Sequence, residues 1–232
     1  MFEKKSKGDR NIKFRNLFST KVIRKTRQIL CRWGQKNYKN YPWRNEKIKW
    51  RSLVAEMMLQ RTRANNVVPV YLNFFRSYPS YRKLSKTTVS KIEKILYPLG
   101  LKWRAVFYKK LGRYLVEVNG RIPRDLAKLK LLPGVGDYVA SAWLSLHGGK
   151  RAIIIDSNVV RWLCRMVGVE MTGETRRQSW LRELVEMLTP EKDCKQYNYA
   201  VLDFSMTICK KNPICEICEF NKKELCAYPK RK

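Results

Sequence analysis

Apolar side chains recur at helical spacing along most of the chain. Between residues 50 and 63 they stand at positions 50, 53, 54, 57 and 58, which places one apolar stripe along a helix. The same period predicts further helices at residues 21–33, 67–75, 89–96, 103–116, 124–131, 138–146, 158–167, 178–188 and 198–208. Gly34 is expected to end the first of these. Residues 41–44 are predicted to be extended, because the residue before a proline avoids the helical region. Strand-like alternation is almost absent, so the pattern predicts an all-α protein.

A glycine-rich turn separates two of the predicted helices. Pro133, Gly134 and Gly136 fit poorly into a regular helix, so the sequence LPGVG predicts a tight hairpin. Glycines let backbone N–H groups approach an anion, and the next helix begins there with its positive dipole end. Phosphate binding is one interpretation, and an ordinary helix–helix turn is the other. An apolar run at residues 151–155 then leads to Asp156, which is suited to cap the following helix.

The charge balance indicates a polyanionic partner. Lys and Arg number 50 against 19 Asp and Glu, which gives a formal net charge of +31. A hydrophobic fraction of 44% with seven Trp indicates a globular core rather than a purely basic binding segment. No apolar run is long enough to span a bilayer and no signal peptide is recognisable, so a membrane partner is not expected.

Seven cysteines are present, and four of them lie close together near the end of the sequence. Cys209, Cys215, Cys218 and Cys226 are separated by gaps of five, two and seven residues. Four thiolates at such spacing can hold a [4Fe–4S] cluster or a Zn²⁺ ion, and free thiols are the remaining alternative. The pattern does not resemble a secreted disulfide framework and indicates a reducing, cytoplasmic environment. The other three, Cys31, Cys164 and Cys194, are predicted to be buried thiols.

Two stretches together resemble the helix-hairpin-helix DNA glycosylase superfamily, of the endonuclease III-like, iron–sulfur type. The first is the hairpin with its flanking helices and Asp156. The second is PWR at residues 42–44 followed by AEMMLQRT at residues 55–62, which is similar to the opening of the glycosylases for A/G and T/G mismatches. The resemblance favours a [4Fe–4S] cluster on the four clustered cysteines, although the first and third gaps differ from the family's usual ones.

The resemblance implies two helical lobes with DNA in the cleft between them. Residues 46–152 would form a six-helix barrel-like lobe with the helix-hairpin-helix at 124–147. Residues 21–45 and 153–232 would form the terminal lobe, with the iron–sulfur loop at 209–226. Residues 1–20 are basic and are predicted to be a flexible tail that either solubilises the protein or grips DNA. The implied partner is mismatched double-stranded DNA, bound by a monomer in the cytoplasm at the nucleoid.

The resemblance also assigns roles to single residues. The implied catalytic residues are Asp156, Tyr138 and Glu56. Asp156 would stabilise the positive charge that develops on the sugar, and capping a helix is compatible with this role. Glu56 would face an extruded base, with a solvated charge at the rim of the helix as the alternative. The implied DNA-binding residues are Gln60, Arg61, Lys102, Trp103, Gly134, Val135 and Gly136. Gln60 would enter the duplex, and residues 100–105 resemble a second probing loop, although Trp103 could equally belong to the core.

The residue after Asp137 separates the subclasses of the family. Bifunctional relatives place a lysine there, whose amine forms a Schiff base, whereas this chain has Tyr138. The resemblance therefore implies a monofunctional glycosylase for thymine or uracil opposite guanine. Residues 119–123 and 202–205, and the early end after the last cysteine, resemble the T/G-mismatch enzymes too. Two alternatives remain open: an adenine glycosylase for A/G or A/8-oxoguanine pairs, and a non-catalytic iron–sulfur protein that binds mismatched DNA.

Overall fold

The computed structural model describes residues 18–100 and 102–228, and within these ranges every regular element is helical. The prediction of an all-α protein is confirmed. The α-helices are α1 (Thr20–Asn37), α2 (Lys49–Met58), α3 (Ala64–Ser77), α4 (Tyr81–Lys86), α5 (Val89–Leu96), α6 (Ala105–Glu117), α7 (Leu126–Lys130), α8 (Asp137–Leu146), α9 (Ser157–Val167), α10 (Ser179–Leu188), α11 (Cys194–Thr207) and α12 (Glu219–Lys222). Short 3₁₀ helices lie at Pro42–Asn45, Tyr97–Leu99, Lys102–Arg104, Thr175–Arg177 and Cys215–Ile217. Most of the predicted basic tail lies outside the described residues.

The chain divides into two compact units. The central unit is Asn40–Lys150, and the terminal unit joins the described residues up to Lys39 with those from Arg151 onwards. None of the helices in the described parts of the chain is long and apolar enough to cross a membrane.

Helix α2 runs through the core of the central unit. The predicted apolar face is buried, with Leu53 and Val54 fully withdrawn from solvent. The helix ends at Met58, however, and not near residue 63 as the sequence predicts. Arg61 adopts a left-handed backbone with φ of 60°, which a right-handed helix cannot accommodate. The residues after Met58 therefore form a turn on the surface of the unit.

The segment around Pro42 is helical, so the prediction of an extended stretch at residues 41–44 is wrong. Only Tyr41 is extended, and Pro42 starts a 3₁₀ helix because its fixed φ suits the first helical position. The turn buries Trp43, which stacks on Tyr41 at 4.9 Å between ring centroids and meets Tyr71 edge-on at 5.6 Å. Helix α4 is a further element that the periodicity does not predict, because it is only six residues long.

In the terminal unit, α1 packs along α11. Gly34 lies inside α1 and does not end it, contrary to the prediction. A Cβ at Gly34 would lie 2.7 Å from the Cβ of Ala200, so glycine permits close contact between the two helices. Trp162 of α9 packs against Phe204 of α11 and Phe220 of α12, and these rings form the aromatic core of the unit.

Candidate active site and nucleic-acid interface

The hairpin of the central unit connects α7 to α8, where the sequence predicts it. Gly134 has a φ of 76°, and a Cβ there would lie 2.9 Å from both Met57 Cε and Phe107 Cβ. Backbone conformation and packing both require glycine at this position. Val135 is buried and its N–H donates to the Leu132 carbonyl at 3.1 Å, so this N–H already has an acceptor within the turn.

Gly136 differs from Gly134 in its exposure, its backbone conformation and the space around its Cα. It is exposed, its φ is −90°, and a Cβ there would meet open space. Gly136 is the N-terminal cap of α8, so the first N–H groups of that helix lie next to it without helical acceptors. Asp137 follows in the first turn and forms a 2.6 Å ion pair with Lys130. The hairpin therefore combines one buried glycine with one open glycine at a helix start.

Glu56 lies in the interior of the central unit. Its side chain is 2% exposed, and its Oε1 lies 2.9 Å from Nε2 of His147, the only histidine in the sequence. The alternative of a solvated rim glutamate is therefore wrong, because α2 turns this face inward. His147 follows the last residue of α8, and its carbonyl accepts a hydrogen bond from Lys49 Nζ at 2.6 Å. Sequence reasoning missed His147, although its being the chain's sole histidine was a signal.

The turn after α2 is held by two polar side chains. Gln60 is half-buried, and its Nε2 lies 3.5 Å from the Gly134 carbonyl. The buried guanidinium of Arg104 donates to the carbonyls of Met57 at 3.2 Å and of Gln60 at 3.3 Å. Burial lowers the pKa of Arg104. Arg104 was not predicted as a site residue; its contacts depend on residues more than forty positions away.

Trp103 is 62% exposed, so the alternative that it belongs to the core is wrong. Its ring meets Phe107 edge-on at 6.0 Å, and Phe107 in turn packs beneath Gly134. Lys102 Nζ lies 4.2 Å from the centre of the Tyr97 ring. Within the central unit, Arg104 thus holds the turn that contains Gln60, and Phe107 packs against both Trp103 and Gly134 of the hairpin. Arg61 is exposed beside them, and Tyr138 is partly exposed in the first turn of α8.

Asp156 begins α9 in the terminal unit, and the prediction that it caps this helix is confirmed. Its Oδ1 accepts a hydrogen bond from the Val159 N–H at 2.7 Å, and its Oδ2 accepts one from Asn158 Nδ2 at 2.8 Å. These two bonds fix the orientation of a half-buried carboxylate. That Asp156 shares one site with Glu56 and Tyr138 stays a prediction.

The four clustered cysteines line one cavity of the terminal unit. The aromatic rings of Trp162, Phe204 and Phe220 also line it. Burial raises the pKa of the Cys226 thiol to about 11 and also raises the pKa of Cys209 and Cys218. Within the described residues, no three Cys, His, Asp or Glu side chains gather closely enough to hold a metal ion. An iron–sulfur cluster needs a different arrangement of ligands, because each thiolate binds a separate iron atom and the four cysteine sulfurs do not have to surround a single metal ion.

Helix α9 supports both ends of the cysteine loop. Arg161 Nε donates to the Cys209 carbonyl at 3.0 Å, and Arg165 donates to the next two carbonyls at 2.6 and 2.7 Å. At the far end, the Ala227 N–H donates to the Met166 carbonyl at 3.2 Å. The helix that Asp156 begins is therefore the one to which the cysteine loop is fastened.

The remaining cysteines differ in burial. Cys164 and Cys194 are buried, as predicted, and burial raises the pKa of Cys164 to about 11. Cys31 is only half-buried, so its assignment as a buried thiol is wrong.

Comparison with known proteins confirms the resemblance. A family model described as HhH-GPD superfamily base excision DNA repair protein matches residues 54–187. The thymine/uracil-DNA glycosylase of Pyrobaculum aerophilum is 37% identical over 216 residues, covering 89% of this chain and 93% of that protein. The one from Methanothermobacter thermautotrophicus is 35% identical over 203 residues, with coverage of 86% and 90%. A solved structure of a thermostable thymine-DNA glycosylase matches with a TM-score of 0.80 at 31% identity, covering 90% of this chain and 97% of that one. The chain therefore belongs to the HhH-GPD superfamily of base excision DNA repair proteins.

Proposed function

We propose that this protein is a monofunctional DNA glycosylase that hydrolyses the N-glycosidic bond of thymine or uracil opposite guanine in duplex DNA. The observation that carries the proposal is its similarity, over nearly the whole length of both chains, to the thymine/uracil-DNA glycosylase of Pyrobaculum aerophilum. The net charge of +31 supports DNA as the partner. We further expect the protein to act as a monomer.

Asp156 is the proposed catalytic carboxylate. As the base departs with the bonding electron pair, positive charge develops on the sugar, and a fixed carboxylate stabilises it. The same group orients a water molecule that attacks the anomeric carbon. The hydrogen bonds from Val159 and Asn158 support this role, because they hold the carboxylate in place before the reaction begins.

The side chain of Tyr138 is compatible with hydrolysis of the glycosidic bond but not with cleavage of the DNA strand through a Schiff base. A phenol cannot form an imine with the sugar, so no covalent Schiff base with this residue is available. In this proposal Tyr138 packs against the extruded nucleotide, and water is the nucleophile. The abasic strand therefore stays uncut.

Glu56 is proposed to hydrogen-bond the extruded base. Because its side chain is 2% exposed, a base has to leave the duplex before it can contact this carboxyl. Extrusion costs less free energy at a mismatch, which favours mispaired bases. His147 would hold Glu56 in position through the 2.9 Å contact.

The DNA contacts follow from the central unit's surface. Gln60 is proposed to occupy the space that the extruded base leaves, next to exposed Arg61. Trp103, with Lys102 beside it, is proposed to contact the duplex as a second probing residue. Gly136 offers an open approach for a phosphate at the start of α8, whereas Gly134 and Val135 shape the turn.

A [4Fe–4S] cluster is the proposed occupant of the cysteine cavity. Cys209, Cys215, Cys218 and Cys226 supply the four thiolates that such a cluster requires, and all four line the same space. A bound cluster would hold the loop together through covalent bonds between its iron atoms and the four thiolates. Arg161 and Arg165 then connect this loop to α9 and so to Asp156.

The test is a panel of duplexes that differ only in one mispair: T/G, U/G, A/G and A/8-oxoguanine. Alkali after incubation reveals which strand carries an abasic site. We expect cleavage of the T/G and U/G duplexes, none without alkali, and no adduct with borohydride. Cleavage confined to the adenine mispairs would replace the proposal with adenine excision. Binding of all mispairs without any excision would make the protein a non-catalytic mismatch binder.

A further inference from the structure

Four lysines to which no role has been assigned above line one pocket of the central unit. Lys83 and Lys86 belong to α4, and Lys91 and Lys94 belong to α5. The pocket is open to solvent. We call it the lysine pocket.

The charge of this region is strongly one-sided. Residues 81–96 contain five Lys or Arg and a single acidic residue, Glu93. Among the described residues, none of the four pocket lysines forms an ion pair within 4.0 Å. A fifth lysine, Lys109, donates to the Thr87 carbonyl at 2.6 Å, and Thr87 also lines the pocket. Like charges gathered without counter-charges repel each other, and a bound polyanion relieves that repulsion.

The spacing of the lysines suits a phosphate backbone. Each pair is three residues apart in its helix, so its members share a helix face with about 5–6 Å between Cβ atoms. Successive phosphates of one DNA strand rise by about 3.4 Å along the axis, which long lysine side chains can follow. A lysine that binds a phosphate does so as a point charge, and this contact carries no information about the base sequence.

We propose that the lysine pocket is a second DNA-binding surface, which contacts phosphates of the duplex outside the lesion. It contributes sequence-independent affinity, whereas base selection stays with the residues around Glu56 and the hairpin. The inference rests on the proposed DNA substrate and extends it to undamaged DNA.

The first experiment is lysine footprinting of the unaltered protein. An amine-reactive reagent labels exposed lysines, and mass spectrometry measures how far undamaged duplex DNA protects each one. We expect protection of Lys83, Lys86, Lys91 and Lys94. Equal protection by tripolyphosphate at matched phosphate concentration would make the pocket a small-polyphosphate site. Labelling unchanged by either ligand would contradict any phosphate site there.

The second experiment measures salt dependence with charge-matched variants. Replacing the four lysines with Gln removes up to four phosphate contacts, so the slope of log affinity against log salt falls by up to about 3.6 for duplex DNA. The control replaces four exposed cations of α1 with Gln: Lys21, Lys25, Arg32 and Lys36. An equal change of slope in both variants would overturn the proposal. The footprint remains informative even if the pocket variant fails to fold.

A third measurement separates this inference from the proposed function. The single-turnover excision rate at saturating enzyme concentration and low salt should be the same in the pocket variant and in the unaltered protein. If the unaltered protein excises no base, the proposed function fails while the footprint still decides the DNA surface. If the pocket variant loses its excision rate at saturation, the pocket belongs to the active site and this inference is wrong.

Discussion

His147 Nε2 lies 2.9 Å from Glu56 Oε1, and the two side chains are 3% and 2% exposed. The contact joins the core helix α2 to the end of α8, the helix that starts at the hairpin. Burial makes each group depend on the other, because a polar group left without its partner in the interior costs free energy. A second hydrogen bond joins the same two helices: Trp143 Nε1 of α8 donates to Ser52 Oγ of α2 at 3.0 Å.

Replacing His147 with Phe should destabilise the protein and slow excision. The change leaves Glu56 buried without its partner, which costs about 1–3 kcal/mol of unfolding free energy. We expect the excision rate to fall further than stability alone explains, because Glu56 is no longer held in place. Denaturant unfolding and single-turnover excision of a T/G duplex measure the two effects.

The matched variant His147→Gln retains a hydrogen-bonding side chain and should recover part of the excision rate. In the Glu56→Gln background, His147→Phe should have a smaller effect, as expected for two residues that act together. Full additivity of the two changes would show that His147 does not act through Glu56.

The local elements were predictable because their signals are local. Helix α5 has the predicted bounds of 89–96, and Asp156 caps α9 as its residue type and position indicate. The apolar face of α2 follows from the 3.6-residue period alone. Such features depend on residues within one or two turns of each other.

Several of the errors arise where distant residues decide the outcome. Gly34 would end a helix in isolation, but Ala200 of α11 packs against it. Glu56 was ambiguous because its partner His147 is 91 residues away. Arg61 is a good helix former, yet the turn that Arg104 holds from more than forty residues away places it in the left-handed region. Tertiary contacts overrode local preference in each case.

The two hairpin glycines should respond differently to alanine. Gly134→Ala forces a left-handed residue with a Cβ 2.9 Å from Met57 and Phe107, so we expect a loss of at least about 1–2 kcal/mol of stability. Gly136→Ala meets open space at a φ of −90°, so it should lose less stability, about 0.5–1 kcal/mol, because alanine caps a helix less well than glycine. DNA affinity should nevertheless fall in Gly136→Ala, because the methyl group stands where a phosphate approaches.

Thermal unfolding and duplex binding of both glycine variants provide the measurement. Equal destabilisation by the two alanines would contradict the packing of the hairpin. Unchanged DNA affinity in Gly136→Ala would place the phosphate elsewhere.

Two substitutions at Asp156 separate capping from catalysis. Asn caps helices about as well as Asp and keeps one oxygen for the Val159 N–H, so Asp156→Asn should keep the cap and lose only the hydrogen bond from Asn158. It removes the negative charge, so excision should fall about 100-fold or more. Asp156→Ala should lose the same activity and about 1 kcal/mol of stability as well.

Thermal unfolding and excision under single-turnover conditions distinguish these outcomes. If Asp156→Asn excises thymine at the original rate, the carboxylate is a helix cap only and the proposed mechanism is wrong. DNA binding by the Asn variant should be retained, which shows that the fold and the interface are intact.

Removal of the proposed cluster should loosen the cysteine loop and α9. The purified protein should be brown and contain iron and sulfide, and replacement of Cys226 by Ser should remove the iron. Because Arg161 and Arg165 fasten the cysteine loop to α9, loss of the loop's anchor should make residues 209–226 and 157–167 more accessible to protease. The matched control is Cys31→Ser, whose thiol is half-buried and lies outside the loop, and it should keep its iron and its protease resistance. Zinc in place of iron, or full protease resistance in Cys226→Ser, would contradict the assignment of the cluster as the anchor of this loop.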